Sequence, residues 1–565
     1  MSHLGSPRRT LVIGLDGATF DLIIPWVEQG HLPNIGRLMR LGSYGVLTST
    51  IPPLTGPAWS SFMTGKNPGK HGIYGLMRRE KDSYEIVPIN STDRKSLDLW
   101  EIISAHGKRA IVMNVPVTYP VRKINGILIA GGFMTPKNAA VYAYPQSIIE
   151  ELRDAVGEYR AYFESSRDRA ERSLSLKSYE EAFLEDTIMT TDVHARAALQ
   201  LLSREWDFFM IEFQGTDALQ HTFWKDMDET HPKHDKTRAI RYGNVIRDFY
   251  ERLDEVVGKM VEKVGSDTDV ILVSDHGFTK FSKFVSLNVF LMSNGYLVLK
   301  RNPRTLLKRF IFSLGITPIN LFALLEKIGL GKYQQSLRKE EVRSRFRGAF
   351  ISLRDVDWSK SVAYAMGGWG QIYLNLKGRE PNGQVSEEEI DPLIEKIIRQ
   401  LSQLRDPSSG NLIFGSRSIY PKQDVYKGPE TPLAPEIIAI PDSPYRIFAD
   451  YEFGTSKLVT EAVAWSGNHS MDGIFVGYGP DIKHGTHTPP AEIIDVAPTL
   501  LYLLGLPVPR DMDGRVLREI LNENVIRERP IEVAAAMDFE LSEDWSHAKD
   551  EDEAVKRTLR DLGYL

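Results

Sequence analysis

Three short apolar runs along the chain end abruptly in acidic residues and glycine. The runs are residues 11–15, 208–213 and 270–273. Continuous apolar runs of this length, separated by helical stretches, are typical of buried strands in a parallel sheet that helices cover on both faces. We therefore predict an α/β fold with a central, mostly parallel sheet. Ligands bind beyond the carboxyl ends of the strands in such sheets, which is where these acidic residues stand.

Other apolar patterns extend this prediction along the chain. Apolar residues recur at three- and four-residue spacing in residues 33–41 and 178–206, which predicts helices there. A further strand is expected at 109–115. Towards the C-terminus we predict a strand at 473–477 and a helix at 492–504.

The chain has 565 residues, which is longer than one compact core of ordinary size. Two neighbouring parts of the chain differ from the rest in composition and predicted structure: a basic helical stretch at 304–347 and a strand-rich part around 363–377. The predicted organisation is a catalytic core at 8–277 and 461–530, a cap domain inserted at 278–460, and a charged helical tail at 531–565.

Net charge and the cysteine count exclude several classes of function. A net charge of −6 argues against nucleic-acid binding, which needs an excess of Lys and Arg. The chain has no cysteine, so any metal must be bound by His and carboxylate side chains. We recognise neither a signal peptide nor an apolar run long enough to span a bilayer, and we expect a cytoplasmic protein without a transmembrane segment.

Acidic and histidine residues at the predicted strand ends are candidate metal ligands. Asp217 and His221 stand four residues apart, so on a helix both would face one cation, although a hydrogen-bonded surface pair fits this spacing equally well. Asp275 and His276 follow an apolar run after one serine, where a charged pair costs solvation unless something polar lies opposite, and a structural ion pair is the alternative there. Asp16 has the same position after its strand, and a turn or helix-capping aspartate is the alternative there.

Two further residues complete the candidates. His469 lies in a polar loop before the strand at 473–477 and would supply another nitrogen ligand. Thr55 precedes Gly56 and Pro57 at a predicted helix start, where a plain N-cap threonine is the alternative. Amides at a helix start could hold a phosphoryl oxygen, with Gly56 allowing close approach. A divalent cation would supply the activation that a threonine nucleophile needs.

The order of these residues resembles the alkaline phosphatase superfamily, and most closely its type I phosphodiesterase/nucleotide pyrophosphatase branch. Further matches are the runs 55–57, 64–68, 71–73, 475–480 and 494–501. The resemblance spans about residues 10–290 and 460–520. The segment between is more loosely similar to bacterial and archaeal predicted phosphohydrolases or phosphomutases.

The resemblance implies an alkaline-phosphatase-like fold and a metal-dependent hydrolase of phosphodiester or pyrophosphate bonds. It implies that Thr55 is the nucleophile and forms a covalent phosphothreonine intermediate. It also implies two divalent ions, usually Zn²⁺ in that family and Mn²⁺ in the related phosphomutases. The implied ligands are Asp217, His221 and His469 for one ion, and Asp16, Thr55, Asp275 and His276 for the other.

Departures from the family pattern leave the substrate open. Where the nucleotide pyrophosphatases carry Asn-His, this chain has Ala58 and Trp59. Trp59 would stack on a base or pack under the cap, so we predict that Gly56 and Trp59 contact a small-molecule phosphate ester, either a nucleotide or a lipid- or glycan-linked one. The alternatives are phosphomonoesterase or phosphomutase chemistry, a catalytically silent ligand-binding homologue, and membrane contact through residues 306–330. The sequence does not fix the oligomeric state.

Overall fold

The computed structural model describes residues 9–161, 178–318, 320, 350–448, 453–462, 465–537, 539 and 549–561. Within these residues the largest element is a ten-stranded central sheet. Its strands, in spatial order, are Thr486–His487, Ser43–Thr48, Asp472–Tyr478, Thr268–Val273, Arg9–Leu15, Phe208–Phe213, Ala110–Met113, Gly126–Ile129 and Ala143–Tyr144, with Ala491–Glu492 also paired to Ser43–Thr48.

The centre of this sheet is parallel, as the apolar runs predicted. Arg9–Leu15 pairs in parallel with Phe208–Phe213 on one side and with Thr268–Val273 on the other. Asp472–Tyr478 runs antiparallel to its neighbours, and Ala143–Tyr144 ends the sheet antiparallel as well. The predicted α/β class with a mostly parallel sheet is confirmed.

Both faces of the sheet are buried, because alternate residues of a strand point to opposite faces. Leu11 and Ile13 pack into one hydrophobic cluster, whereas Val12 packs into another. Helix Val245–Val264 belongs to the first cluster and helix Val496–Leu503 to the second. The strands therefore contain few polar residues, and most polar side chains stand at or near their ends.

The predicted helices occur with small changes in their bounds. The helix at 33–41 is present as Pro33–Leu41, and that predicted at 178–206 is Tyr179–Leu201. The last one begins only at Val496, because residues 493–495 form a 3₁₀ turn. The described helices are Phe20–Glu28, Pro33–Leu41, Thr55–Thr64, Pro68–His71, Leu99–Ala105, Ile148–Val156, Tyr179–Leu201, Gly215–Met227, Lys236–Tyr242, Val245–Val264, Leu287–Ser293, Pro303–Ser313, Glu387–Leu401, Lys422–Val425, Val496–Leu503, Glu523–Glu528 and Lys549–Asp561.

Smaller sheets lie outside the central one, several of them between residues 277 and 461. That part has its own hydrophobic cluster, which includes Ile372 and Ile397. The small sheets comprise Ala363–Ala365, Gln371–Leu374, Ile437–Ala439 and Ile419–Pro421; Tyr445–Ile447, Lys283–Val285 and Val459–Glu461; Gly277–Lys280 and Gly467–Ser470; Met77–Arg79 and Ile86–Pro88; Val508–Pro509 and Val533–Ala534.

Two predicted stretches are only partly described. The basic helical stretch predicted at 304–347 begins with helix Pro303–Ser313, and residues 321–349 lie outside the described residues. Of the predicted C-terminal tail, Lys549–Asp561 is helical, while 541–548 also lie outside them. Among the residues that the structure describes, no helix is both long and apolar enough to span a bilayer.

Candidate active site

Three adjacent parallel strands bring buried acidic residues together at one edge of the sheet. Asp16 and Asp275 stand just beyond the ends of their strands, and Asp217 lies in the first turn of the helix Gly215–Met227, which follows the third strand. Because the strands are parallel neighbours, their carboxyl ends share one edge. All three side chains are almost completely buried. The fold thus places together residues that are far apart in sequence.

Three histidines join these carboxylates. His221 lies one turn after Asp217 on the same helix, as the spacing predicted, and His276 directly follows Asp275. The prediction of a loop around His469 was wrong, because His469 lies in the strand Gly467–Ser470. That strand pairs antiparallel with Gly277–Lys280, a tertiary contact that the weak β-propensity of Gly-Asn-His-Ser did not reveal.

Asp217, His221 and His469 form the first cluster. Asp217 Oδ1 lies 3.2 Å from His221 Nε2 and 3.0 Å from His469 Nε2, and the two Nε2 atoms are 3.0 Å apart. The His221 Nδ1 lies 2.7 Å from the carbonyl of Gly467, and the His469 Nδ1 lies 3.0 Å from that of Pro53. A backbone carbonyl can only accept a hydrogen bond, so the Nδ1 of each of these two rings carries the proton. Each Nε2 is then unprotonated, and the two Nε2 lone pairs are directed at the same point. This donor set fits a divalent cation.

Asp16, Asp275 and His276 form the second cluster. His276 Nε2 lies 3.2 Å from Asp275 Oδ2 and 3.6 Å from Asp16 Oδ1, and its Nδ1 lies 3.1 Å from the carbonyl of Gly277. The Asp16 Oδ1 and Asp275 Oδ2 atoms are buried and have no hydrogen-bond partner among the residues that the structure describes. Buried carboxylate oxygens without donors are costly, so this cluster also fits a cation. In each cluster the donor atoms lie within 4.8 Å of one another.

Thr55 faces the second cluster from the start of the helix Thr55–Thr64. Its Oγ1 lies 3.4 Å from His276 Nε2. Leu54 occupies the N-cap position and makes no side-chain cap, so Thr55 is not a plain capping residue. A Cβ at Gly56 would come within 3.1 Å of both the Gly75 carbonyl and Leu76, which shows that this backbone packs closely against the next segment.

Trp59 lies beneath the second cluster rather than along a pocket. The side chain is fully buried, and its indole N–H donates to Asp16 Oδ2 at 3.3 Å. A Cβ at Gly14 would stand 2.7 Å from the ring, so only glycine leaves room for it there. In this position Trp59 orients the Asp16 carboxylate and has no exposed face for a base.

Glu212 is a buried acidic residue that the sequence reasoning missed. It lies in strand Phe208–Phe213, and its buried Oε1 has no hydrogen-bond partner within the described part of the chain. Burial raises the pKa of Glu212 well above its ordinary value, and the charges of Asp275 and Asp217 raise it further. The signal in the sequence was a single carboxylate inside an otherwise apolar run.

The clusters have strongly perturbed electrostatics. Burial and then the Asp275 charge raise the pKa of Asp16 well above its ordinary value, and burial raises the pKa of Asp275 to about 8. Burial would also raise the pKa of Asp217, but His221 and His469 outweigh it and hold that pKa well below the ordinary value. Burial lowers the pKa of His469 to about 4. Such opposed shifts are typical of functional sites.

Metal-free protein is expected to lose stability as the pH rises from about 6.5 to about 8. Folded Asp275 keeps its proton up to a pKa of about 8, whereas an unfolded aspartate loses it near 3.8, so the folded state binds more protons across this window. His276 and His469, whose pKa values burial lowers, act in the opposite sense, but only below the unfolded histidine pKa of 6.5. Thermal midpoints of chelator-treated and zinc-loaded protein at several pH values provide the measurement. A midpoint of the metal-free protein that rises through the window would contradict the assignment.

Buried Asp and His clusters beside a threonine, at the carboxyl edge of a parallel sheet, are typical of metal-dependent hydrolases of phosphoric esters. The family described as Type I phosphodiesterase / nucleotide pyrophosphatase matches residues 10–472. The chain therefore belongs to the type I phosphodiesterase/nucleotide pyrophosphatase family, within the alkaline phosphatase superfamily that its motifs resemble. It is a phosphoric-ester hydrolase, and its family is metal-dependent.

One solved structure similar to this chain is that of human ectonucleotide pyrophosphatase / phosphodiesterase 5. The two share 14% sequence identity with a TM-score of 0.46, over 91% of this chain and 100% of that one. No curated protein sequence matches the chain.

Proposed function

We propose that this chain hydrolyses phosphodiester or pyrophosphate bonds in two steps, through a covalent phosphothreonine on Thr55. The observation that carries the proposal is the Thr55 hydroxyl at 3.4 Å from His276 Nε2, within one of two buried Asp/His clusters. Thr55 Oγ1 gives its proton to water and forms a bond to phosphorus, and the leaving group departs with the electrons of the broken P–O bond and takes a proton from water. Water then hydrolyses the phosphothreonine, which restores the hydroxyl and releases the phosphate product.

The two clusters fit two divalent cations, which we propose to be Zn²⁺ or Mn²⁺, because imidazole and carboxylate ligands without sulfur suit both. When bound, such cations activate the threonine hydroxyl and neutralise charge on the phosphate. The chain's own contribution is orientation. Backbone carbonyls fix the three imidazole rings, the Trp59 indole holds Asp16, and the Gly17 amide donates to Asp275 Oδ1 at 3.2 Å.

The inserted segment is proposed to act as a cap that selects a small-molecule substrate. Residues 278–460 form the proposed cap domain, with 8–277 and 461–530 as the catalytic core. In support, the segment has its own hydrophobic cluster and sheets. It also brings Trp369 to a ring-centre distance of 4.4 Å from His469.

A comparison of two synthetic substrates tests the proposed function. Bis-p-nitrophenyl phosphate and p-nitrophenyl phosphate are assayed with Zn²⁺ and with Mn²⁺, and the diester is expected to turn over faster. Faster turnover of the monoester would contradict the preference for diesters. Inactivity on both substrates with either metal would contradict the proposed chemistry itself.

His221→Ala is expected to remove one metal ion together with activity. The substitution takes one of the two lone pairs that converge with Asp217 at the first cluster. The turnover rate is expected to fall by more than the roughly 10- to 100-fold that is typical when a hydrogen-bond partner of a metal ligand is mutated. Metal content and turnover are measured together, with the exposed His484→Ala as the matched control. Unchanged metal stoichiometry in His221→Ala would remove His221 from the ligand set.

A further inference from the structure

A pocket of about 180 Å³ adjoins the first cluster at His469. Asn468 and Ser470 line it from the strand that carries His469, and Trp369 and Arg446 line it from the inserted segment. This volume is below the roughly 300–1,000 Å³ of pockets that enclose drug-sized ligands. The pocket therefore fits a small group and not a whole nucleotide.

Arg446 is held against aromatic rings beside this pocket. The residue is only 4% exposed, and its Cζ lies 4.4 Å from the ring centre of Trp465, 5.1 Å from that of Trp369 and 5.5 Å from that of Phe281. Cations at such distances from aromatic rings are attracted by the ring electrons. Arg446 also lies within the strand Tyr445–Ile447 of a three-stranded sheet. Its guanidinium is therefore a fixed charge, unlike a surface arginine.

The same rings contact the first cluster. Trp465 stacks on His221 with ring centres 4.0 Å apart and an angle of 18°, and Trp369 lies 4.4 Å from His469. Trp465 thus contacts both Arg446 and His221, which fixes the positive charge next to the cluster. Charges in such a buried setting interact more strongly than in water, because the effective dielectric constant is lower.

The position of Arg446 relative to the two clusters indicates which part of a substrate it would contact. Thr55 faces His276 in the second cluster, whereas the pocket adjoins His469 in the first. An in-line displacement expels the leaving group on the side opposite the nucleophile. A leaving group that departs at the first cluster would therefore meet this pocket.

We propose that Arg446 is a specificity-determining residue that binds an anionic oxygen group on the leaving group of the substrate. The substrates are then phosphoric diesters or anhydrides whose departing group carries its own phosphate or carboxylate. A guanidinium presents five donors in a planar fork that matches either anion, so it can bind one while it keeps a structural contact. This inference rests on the proposed function, since Thr55 as nucleophile defines which group leaves.

Calorimetric titration of zinc-loaded protein tests the assignment without depending on turnover. The two probes are methylphosphonate, with one anionic group, and methylenediphosphonate, which adds a second and is not hydrolysed at its P–C bonds. Both are used in metal-buffered solution, and the measured quantity is the ratio of their affinities. Wild-type protein is expected to prefer the diphosphonate. Arg446→Met is expected to lower the ratio about 10- to 100-fold, the range for a charged hydrogen-bonded contact.

Two further variants control for charge and for folding. Arg417→Met removes an exposed arginine from the same segment and is expected to leave the ratio unchanged. Arg446→Lys keeps the charge and the long aliphatic stem but loses the planar fork of donors, so an intermediate loss in the affinity ratio is expected. If Arg446→Met does not fold, Arg446→Lys decides whether the residue at 446 binds the anion. The ratio separates anion binding from a purely structural role, because damage to the metal cluster lowers the affinity for both probes.

The outcomes distinguish this inference from the proposed function. An affinity ratio that is the same in wild type and in the Arg446 variants, or a wild type without preference, would overturn the role of Arg446. Turnover of bis-p-nitrophenyl phosphate and of a dinucleoside pyrophosphate, whose leaving group carries a phosphate, is measured in parallel. Inactivity on both substrates combined with a ratio that depends on Arg446 would support the anion site and contradict the phosphodiesterase chemistry.

Discussion

Thr55→Ala is expected to lower turnover by at least about a thousandfold while the fold and the metal content remain. A variant without its nucleophile keeps only the acceleration that binding and fixed charges supply. The substitution removes the hydroxyl that lies 3.4 Å from His276 Nε2, but none of the Asp and His side chains of the two clusters. Turnover of bis-p-nitrophenyl phosphate and the metal content are measured on the same preparation.

Two variants sharpen this experiment. Thr64→Ala makes the same change at the other end of the helix, where the hydroxyl donates to the Ser60 carbonyl and accepts from the Lys66 amide, and it is expected to retain activity. Thr55→Ser keeps a hydroxyl at the nucleophile position and is expected to retain part of the activity. A Thr55→Ala protein that keeps more than about 1% of wild-type turnover would remove Thr55 from the nucleophile role.

Metal removal is expected to abolish turnover and to lower the thermal midpoint. The buried carboxyl groups of Asp16, Asp217, Glu212 and Asp275 raise one another's energy when no cation offsets their charge. Ions that bind only the folded state stabilise it by about 4 kcal/mol at a thousand times their dissociation constant. Activity and the unfolding midpoint are measured before chelation, after chelation and after zinc is restored.

Asp275→Asn provides a control with two opposite expected effects. The amide removes a buried charge, so at pH 8 the metal-free variant is expected to be more stable than metal-free wild type. The same change weakens the second cluster as a ligand set, so the variant is expected to lose metal and activity. Full activity in thoroughly chelated wild type, or a metal-free variant that is less stable than metal-free wild type, would contradict the account.

The fold was predictable because its strands carry a strong local signal. Arg9–Leu15, Phe208–Phe213 and Thr268–Val273 are buried on both faces, so they appear in the sequence as mainly apolar runs. Their order in the sheet was not predictable, because it depends on long-range pairing. The antiparallel Asp472–Tyr478, for example, lies between Ser43–Thr48 and Thr268–Val273.

The acidic residues of the candidate site were predictable from their position after buried strands, where a charge needs a partner. Asp16 and Asp275 stand in such places, and Asp217 with His221 has helical spacing. Other contacts are purely tertiary. The sequence gives no sign that Trp59 turns inward to hold Asp16, or that a strand pairing brings His469 beside His276 with ring centres 3.6 Å apart.

Arg446 could not be singled out from the sequence for the same reason. Its neighbours Trp369, Trp465 and Phe281 come from three separate parts of the chain. One arginine between a tyrosine and an isoleucine has no distinguishing local pattern. Its position beside the pocket becomes visible only once the small sheets of the inserted segment are packed against the core.

Anomalous diffraction from crystals of the zinc-loaded protein tests the central claim most directly, because it locates bound ions without reference to activity. Two peaks are expected, one among Asp217, His221 and His469, and one among Asp16, Asp275, His276 and the Thr55 hydroxyl. No peak at either cluster, or zinc bound only elsewhere on the molecule, would contradict the proposal that these seven side chains form a two-metal phosphodiesterase site.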